Sequence, residues 1–220
     1  MGGYAAPQQL FMVRKTKQEA LATRSHILDT AERVFEVRGV SGTSLHEIAK
    51  AAGLTRGAIY WHFNDKADLF NAMMERATLP LEEAGACGFD NADTTLSQMR
   101  LGFREVLKRI VADPQMRRVF EIAIHKVEYV DEMRAVRERH LSIRNECLGD
   151  VERVLKSAIK RGELARRMPS RAAAIGLHAL LDGLIQNWML DQKGFDLVKV
   201  GPQALDAYLA GLATTSTPSS

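Results

Sequence analysis

Residues 44–63 read SLHEIAKAAGLTRGAIYWHF, and the fold of the whole chain turns on how this stretch is understood. Ser44 stands three residues ahead of Glu47, the spacing of a capping box, in which a hydroxyl and a carboxylate each satisfy an amide left unpaired at a helix start. A helix is therefore expected to begin there, with Leu45, Ile48, Ala49 and Ala52 at helical spacing. Gly53 is the residue type best able to turn the chain, and Thr55 can cap a second helix that turns Ala58, Ile59 and Phe63 inward. Helix, glycine turn, helix is the layout of a helix-turn-helix DNA reader. Many unrelated sequences share that layout, so the flanking chain has to carry the decision.

Upstream, Ile27, Leu28, Ala31, Val34 and Phe35 mark an amphipathic helix that Gly39 is placed to end, a floor on which the two-helix unit can pack. Ahead of it Arg14, Lys15, Lys17 and Arg24 form a basic arm. Such an arm touches phosphate or reaches a minor groove, or else is an exposed basic tail with no fixed partner. Residues 1–11 are small, polar and without a period; a flexible leader is expected over 1–13, with Met12 as a second candidate start. Downstream, Asn64 or Asp65 can cap a fourth helix carrying Ala67, Leu69, Phe70, Met73 and Met74, which Pro80 is expected to end or bend. Lys66 at its N-terminus, beside free backbone amides, makes a phosphate site.

The rest of the chain is helical in period throughout. Residues 85–95 are rich in Gly, Asp, Asn and Thr and form the loosest connection. One helix then runs from Leu96 to near Asp113-Pro114, another carries Met116 to Val127, and a charged one covers 131–160 with Gly162 as its stop. After Pro169 the stretch 172–190 is apolar nearly all round, as in a helix buried on more than one side. A last short helix is expected after Asp196, then a Thr/Ser/Pro tail over 213–220 that frays. No segment alternates with a β period. The fold class is all-α: a three-helix reader over 14–66 and a larger helical body over 67–212.

The 220 residues are 46% hydrophobic with a net charge of +3. Residues 1–66 hold nine Lys or Arg against six acids, so the entire excess lies with the two-helix unit, where it suits a polyanion. No apolar run nears the roughly 18 residues that cross a bilayer, and the start lacks the order of a secretory signal. A cytoplasmic protein is expected, with Cys87 and Cys147 as reduced thiols.

On the second motif helix, Thr55, Arg56, Gly57, Tyr60, Trp61 and His62 are the candidates for DNA, joined by Ser44 and Lys66. Arg56 can donate two bonds to guanine, worth about 1–3 kcal/mol of discrimination. Gly57 lets the helix approach closely, and Tyr60 and His62 can bond phosphates, which fix register without reading sequence. Tyr60 and Trp61 could instead be packing residues. Catalytic and metal chemistry find little support: there is no HExxH, GxxxxGK[ST] or GxSxG, the histidines are dispersed, and Glu121 with His125 reads better as a solvated pair than as a metal site. Neither a cofactor nor an enzyme activity is expected.

RKTKQEALATRSHILDTAERVF followed by GTSLHEIAKAAGLTRGAIYWHFNDKADLF resembles the N-terminal domain of the TetR family, and within it the multidrug-efflux repressor branch. The resemblance is strong over 13–70, above all in TRGAIYWHF and Lys66, and continues more weakly through RRVFEIAIHKVEYVDEM and LLDGLIQNWML. It implies an all-helical homodimer whose paired readers bind a palindromic operator on double-stranded DNA, and whose bodies enclose a pocket for a hydrophobic small-molecule effector. With it, the apolar helix over 172–190 becomes a dimer element rather than only the centre of a monomer core. The apolar pocket candidates are Phe103, Val106, Phe120, Ile124, Cys147, Leu181 and Ile185; the polar ones are His178, Asp182 and Gln186, one turn apart. Asp182 and His178 could also bond each other with no ligand involved. The other readings are a same-fold regulator of a metabolic operon, and a small-molecule carrier or enzyme in which the two-helix unit is incidental.

Overall fold

At Ser44 the expected cap forms in full: the Ser44 hydroxyl accepts from the Glu47 amide at 3.3 Å, and the Glu47 carboxylate accepts from the Ser44 amide at 2.8 Å. These come from a computed structural model that describes residues 7–83, 94–165 and 169–213, with side chains described outside 7–16 and 80–83. Helix α1 (Pro7–Arg38) precedes this cap and α2 (Leu45–Ala51) follows it. Gly53 takes a left-handed φ of 69° in the turn, which a glycine adopts without a Cβ penalty. Thr55 then accepts from the Ala58 amide at 3.2 Å and starts α3 (Arg56–His62). Gly39, at φ 76°, ends α1, as a C-terminal glycine commonly does.

Next come α4 (Lys66–Glu83), α5 (Leu96–Ala112), α6 (Pro114–His125), a 3-10 turn (Asp131–Met133), α7 (Arg134–Lys160), α8 (Ser170–Leu190) and α9 (Leu197–Ala213). Among the described residues there is no strand, and no helix is long and apolar enough to cross a membrane. Three expectations are corrected. The backbone is already helical from Pro7, inside the expected leader; proline suits a first helical position and the residues after it are fair helix formers. Helix α4 runs through Pro80 to Glu83, so of the two effects expected of the proline, ending or bending the helix, ending does not occur. The last helix is long, with 17 residues, and accommodates Pro202. The expected loose connection over 85–95 falls mostly outside the described residues, as do Cys87 and positions 214–220.

Burial divides the apolar side chains into three groups. The first packs Ile27, Leu28, Ala31 and Phe35 of α1 against Ile48, Ile59, Phe63 and Phe70, and it continues without a break into Val119, Ile122, Met133 and Val136. The reader thus shares its core with α6 and the start of α7. A second group joins Met99, Leu148, Val151 and Leu155 to Leu177, Leu181 and Leu205; a third holds Leu107, Ile110, Met116, Trp188 and Leu197. Helices α8 and α9 approach closely at Gly176, where a Cβ would lie 2.3 Å from the Tyr208 hydroxyl. That hydroxyl donates to the Ala173 carbonyl at 2.9 Å.

Candidate nucleic-acid interface and effector site

Helix α3 is held from beneath and bare above. Ile59 and Phe63 are buried, and the Arg24 guanidinium of α1 sits 4.9 Å over the Phe63 ring. Thr55, Arg56, Gly57, Tyr60 and Trp61 are exposed, Trp61 by 73% and Tyr60 by 46%. The Arg56 guanidinium lies 5.5 Å from the Tyr60 ring centre, within reach of a cation–π attraction. Trp61 and His62 meet edge to face at 4.6 Å. Burial and the nearby Arg24 lower the His62 pKa, so near neutrality it offers an N–H rather than a charge. At Gly57 a Cβ would meet only the Thr55 hydroxyl at 4.0 Å. Nothing inside the chain therefore requires a glycine there.

Two expected DNA contacts stand differently. The Ser44 hydroxyl donates to Glu47 at 2.9 Å while accepting from its amide, so it is spent on the cap. Lys66 is 4% exposed; its ammonium pairs with Glu132 at 3.0 Å and donates to the Ser41 carbonyl at 3.4 Å. A buried cation needs a partner, and the 3-10 turn supplies one, so Lys66 ties reader to body in this conformation instead of facing a phosphate. Lys17 is exposed, and the side chains of Arg14 and Lys15 lie outside the described residues.

A second tie was not legible beforehand. Glu32 of α1 is 2% exposed and faces three donors: Arg76 of α4, and Gln115 and Arg118 of α6, the latter two at 3.0 and 3.8 Å. Arg118 also pairs with Glu36 at 3.3 Å. At the other end of α6 the Lys126 carbonyl accepts from the Val40 amide at 2.9 Å. Helix α6 is thus bonded to the reader at both ends. These partners lie 44 or more residues from Glu32 in sequence, beyond any local spacing rule.

The effector candidates are divided between the second and third apolar groups, which meet in a seam along α5 between Phe103 and Val106 and along α8 between Leu181 and Ile185. Phe103, Cys147 and Leu181 belong to one side; Val106, Phe120, Ile124 and Ile185 to the other. All are half-buried except Leu181, which is buried. His178 is half-buried, and its pKa is lowered chiefly by burial, raised by Asp182 and lowered again by Arg144 and His140. Asp182 is exposed, and its carboxylate accepts from Gln186 at 2.7 Å. The described residues contain no group of three or more candidate metal ligands.

Residues 27–73 match the family model described as bacterial regulatory proteins, tetR family, and residues 94–214 match the C-terminal region of MAATS-type transcriptional repressors. The HTH-type transcriptional regulator AcrR of Shigella flexneri is 43% identical over 86% of this chain and 88% of its own length. The crystal structure of NalD, the secondary repressor of the MexAB-OprM multidrug efflux pump in Pseudomonas aeruginosa, superposes with a TM-score of 0.81 at 32% identity, covering 90% of this chain and all of NalD. A complex of SmeT with triclosan superposes at 0.75 with 29% identity, over 90% of this chain and 99% of SmeT.

Proposed function

The chain belongs to the TetR family of bacterial regulatory proteins, and from that premise we propose that it is a cytoplasmic homodimeric repressor of efflux-pump genes. It binds a palindromic operator through α3 and leaves it when a hydrophobic small molecule enters the body. The observation that carries the reading is the outer face of α3. Arg56, Tyr60 and Trp61 stand exposed on a rigidly seated helix, around a glycine that nothing inside the protein demands. A surface of this composition suits a major groove, with Arg56 reading a base and Thr55, Tyr60 and His62 bonding phosphate. Two such helices reach successive grooves when their centres lie about 34–36 Å apart.

Support for a dimer comes from α8, whose outer side presents Ala172, Ile175, Ala179 and Leu190, with Ile175 and Leu190 exposed by 50% and 72%. An apolar stripe of this kind is covered in a symmetric four-helix contact. Support for effector control comes from α6. It carries Phe120 and Ile124 of the third apolar group and is bonded to the reader at both ends, to Glu32 of α1 and to Val40 just beyond α1. A ligand that prefers one position of α6 shifts the readers by its differential affinity for the two states and by no more. NalD is a repressor of a multidrug efflux pump and SmeT forms a complex with triclosan; an efflux operon and a hydrophobic small-molecule effector are the corresponding assignments here.

The test is a gel-shift titration on the DNA upstream of the gene itself. Salt-sensitive, sequence-selective binding by the wild type and its loss in Arg56→Ala, with folding intact, is the expected result. Binding that is indifferent to both sequence and Arg56 sinks the proposal.

A further inference from the structure

The inner stripe of α7 is apolar at its two ends and cationic between them. On the inner stripe of α7, Val136 belongs to the first apolar group and Leu148 to the second. Between them the stripe is occupied by Arg139, Arg144 and Cys147, all half-buried, and by Ile143, which is 54% exposed. The apolar packing of α7 is therefore interrupted there.

Arg139 reaches Glu75 at 4.0 Å and Arg153, further along the helix, pairs with Asp150 at 2.6 Å. Arg144 shares with Arg139 a buried Nε that has no acceptor, but differs in its terminal partner: one terminal nitrogen donates to the neutral Asn145 amide oxygen at 3.1 Å. Among the described residues no carboxylate lies within ion-pair distance of it. Its charge acts on His178 of α8, together with that of His140. Asp182, the carboxylate that also acts on His178, is exposed and already accepts from Gln186, so it does not neutralise Arg144. A half-buried guanidinium with an unused donor and no carboxylate partner is incomplete until an anion or strong acceptor arrives.

We propose that the effector site selects aromatic ligands that carry an acidic group, a phenolate, carboxylate or sulfonate, and that Arg144 is the residue that pairs with it. Phe103, Cys147 and Leu181 would take the ring system while the guanidinium holds the acid. This rests on the effector site proposed above. It adds a charge preference that the apolar lining alone does not predict, and it places a specificity-determining residue on α7.

Two probes with one frame separate the contributions: 8-anilinonaphthalene-1-sulfonate and its uncharged parent N-phenyl-1-naphthylamine, each titrated by fluorescence into the full-length protein. The wild type is expected to bind the sulfonate more tightly. Arg144→Gln is expected to weaken the sulfonate by about tenfold or more, the scale of a lost charged hydrogen bond, and to leave the parent within about twofold. Arg144→Lys, which keeps the charge, should recover part of the loss. Unchanged parent binding also certifies that the variant is folded. Equal affinity for the two probes in the wild type, or an equal loss of both in Arg144→Gln, overturns the charge preference. If neither probe binds while the operator gel shift persists, the effector site itself is wrong and the DNA reading survives; if the gel shift fails as well, the repressor reading goes with it.

Discussion

The reader and the body are built from the same element, an amphipathic helix, yet they pack to different ends. In the reader the largest inward side chains are closed off, with Ile27, Phe35, Ile48, Ile59 and Phe63 all buried and only Val34 and Leu54 of its core left half-buried. In the body the inner apolar side chains are spread over three groups, and Phe103, Val106, Phe120, Ile124 and Ile185 in the second and third of them remain half-buried. The reader has to hold a few side chains in one register against DNA, which favours close packing. The body has to admit a ligand and respond to it, which favours a seam that can repack. Stability and responsiveness are thus assigned to different halves of one helical chain.

Matched truncations test that division most strongly. Phe63→Ala is expected to cost about 3–5 kcal/mol, the range for removing a fully buried phenylalanine and leaving a cavity. Phe120→Ala should cost about half of that or less, because its ring is already part-solvated and the seam can close around the gap. Urea denaturation of the two variants reads the difference; equal losses would erase the distinction between halves. Next in size is the tie between them. Glu32→Gln removes the carboxylate shared by Arg76, Gln115 and Arg118. Breaking a buried pair costs about 3–5 kcal/mol, and since Arg76 and Arg118 keep some solvent, about 2–3 kcal/mol is expected. If α6 transmits the effector signal, the same variant should also respond less to effector in a gel shift than its stability loss explains.

What was legible in the sequence follows from the range of the interactions involved. Caps and turns are fixed by residues three or four apart, so Gly39 marks the end of α1, and Ser44, Gly53 and Thr55 mark the bounds of α2 and the start of α3, in the sequence itself. The exposed candidates Arg56, Tyr60 and Trp61 followed from the same helical period. Lys66 was placed correctly at the start of α4 but its surroundings were not, because Glu132 comes from the turn before α7, 66 positions on. Glu32 gave no signal for the same reason. An acid on an amphipathic helix looks solvated until the helix that covers it is known. Arg144 likewise is one arginine among many until the spacing of its neighbours' carboxylates can be measured.

A smaller effect tests the reader's function rather than its packing. Arg56→Ala removes an exposed side chain, so stability should move by no more than about 0.5 kcal/mol. Operator discrimination should fall by about 1–3 kcal/mol if the guanidinium reads a guanine. Competition gel shifts with single-base operator variants check it: the preference should relax at one position of each half-site. A uniform weakening across all sequences would instead make Arg56 a phosphate contact and leave the base reading to a neighbour.

The smallest expected effect concerns the cap on which the reader begins. Ser44→Ala should cost about 1 kcal/mol, typical of a lost N-cap hydroxyl, and this local change should leave the body's ligand affinity untouched. Its pH dependence is more informative. The Glu47 pKa is lowered first by the hydrogen bond from the Ser44 amide and then by the one from the Ser44 hydroxyl. A carboxylate whose folded pKa lies below its unfolded value binds its proton more weakly when folded, so its stabilising contribution is complete above about pH 4.5 and fades as pH falls through the folded value. Ser44→Ala deletes only the hydroxyl, the second cause, so part of that acid-side dependence should persist. Glu47→Gln should remove all of it. Denaturation midpoints between pH 3 and 6 separate the two variants: if Ser44→Ala abolishes the dependence as fully as Glu47→Gln does, the amide bond is not the main stabiliser of the charged cap.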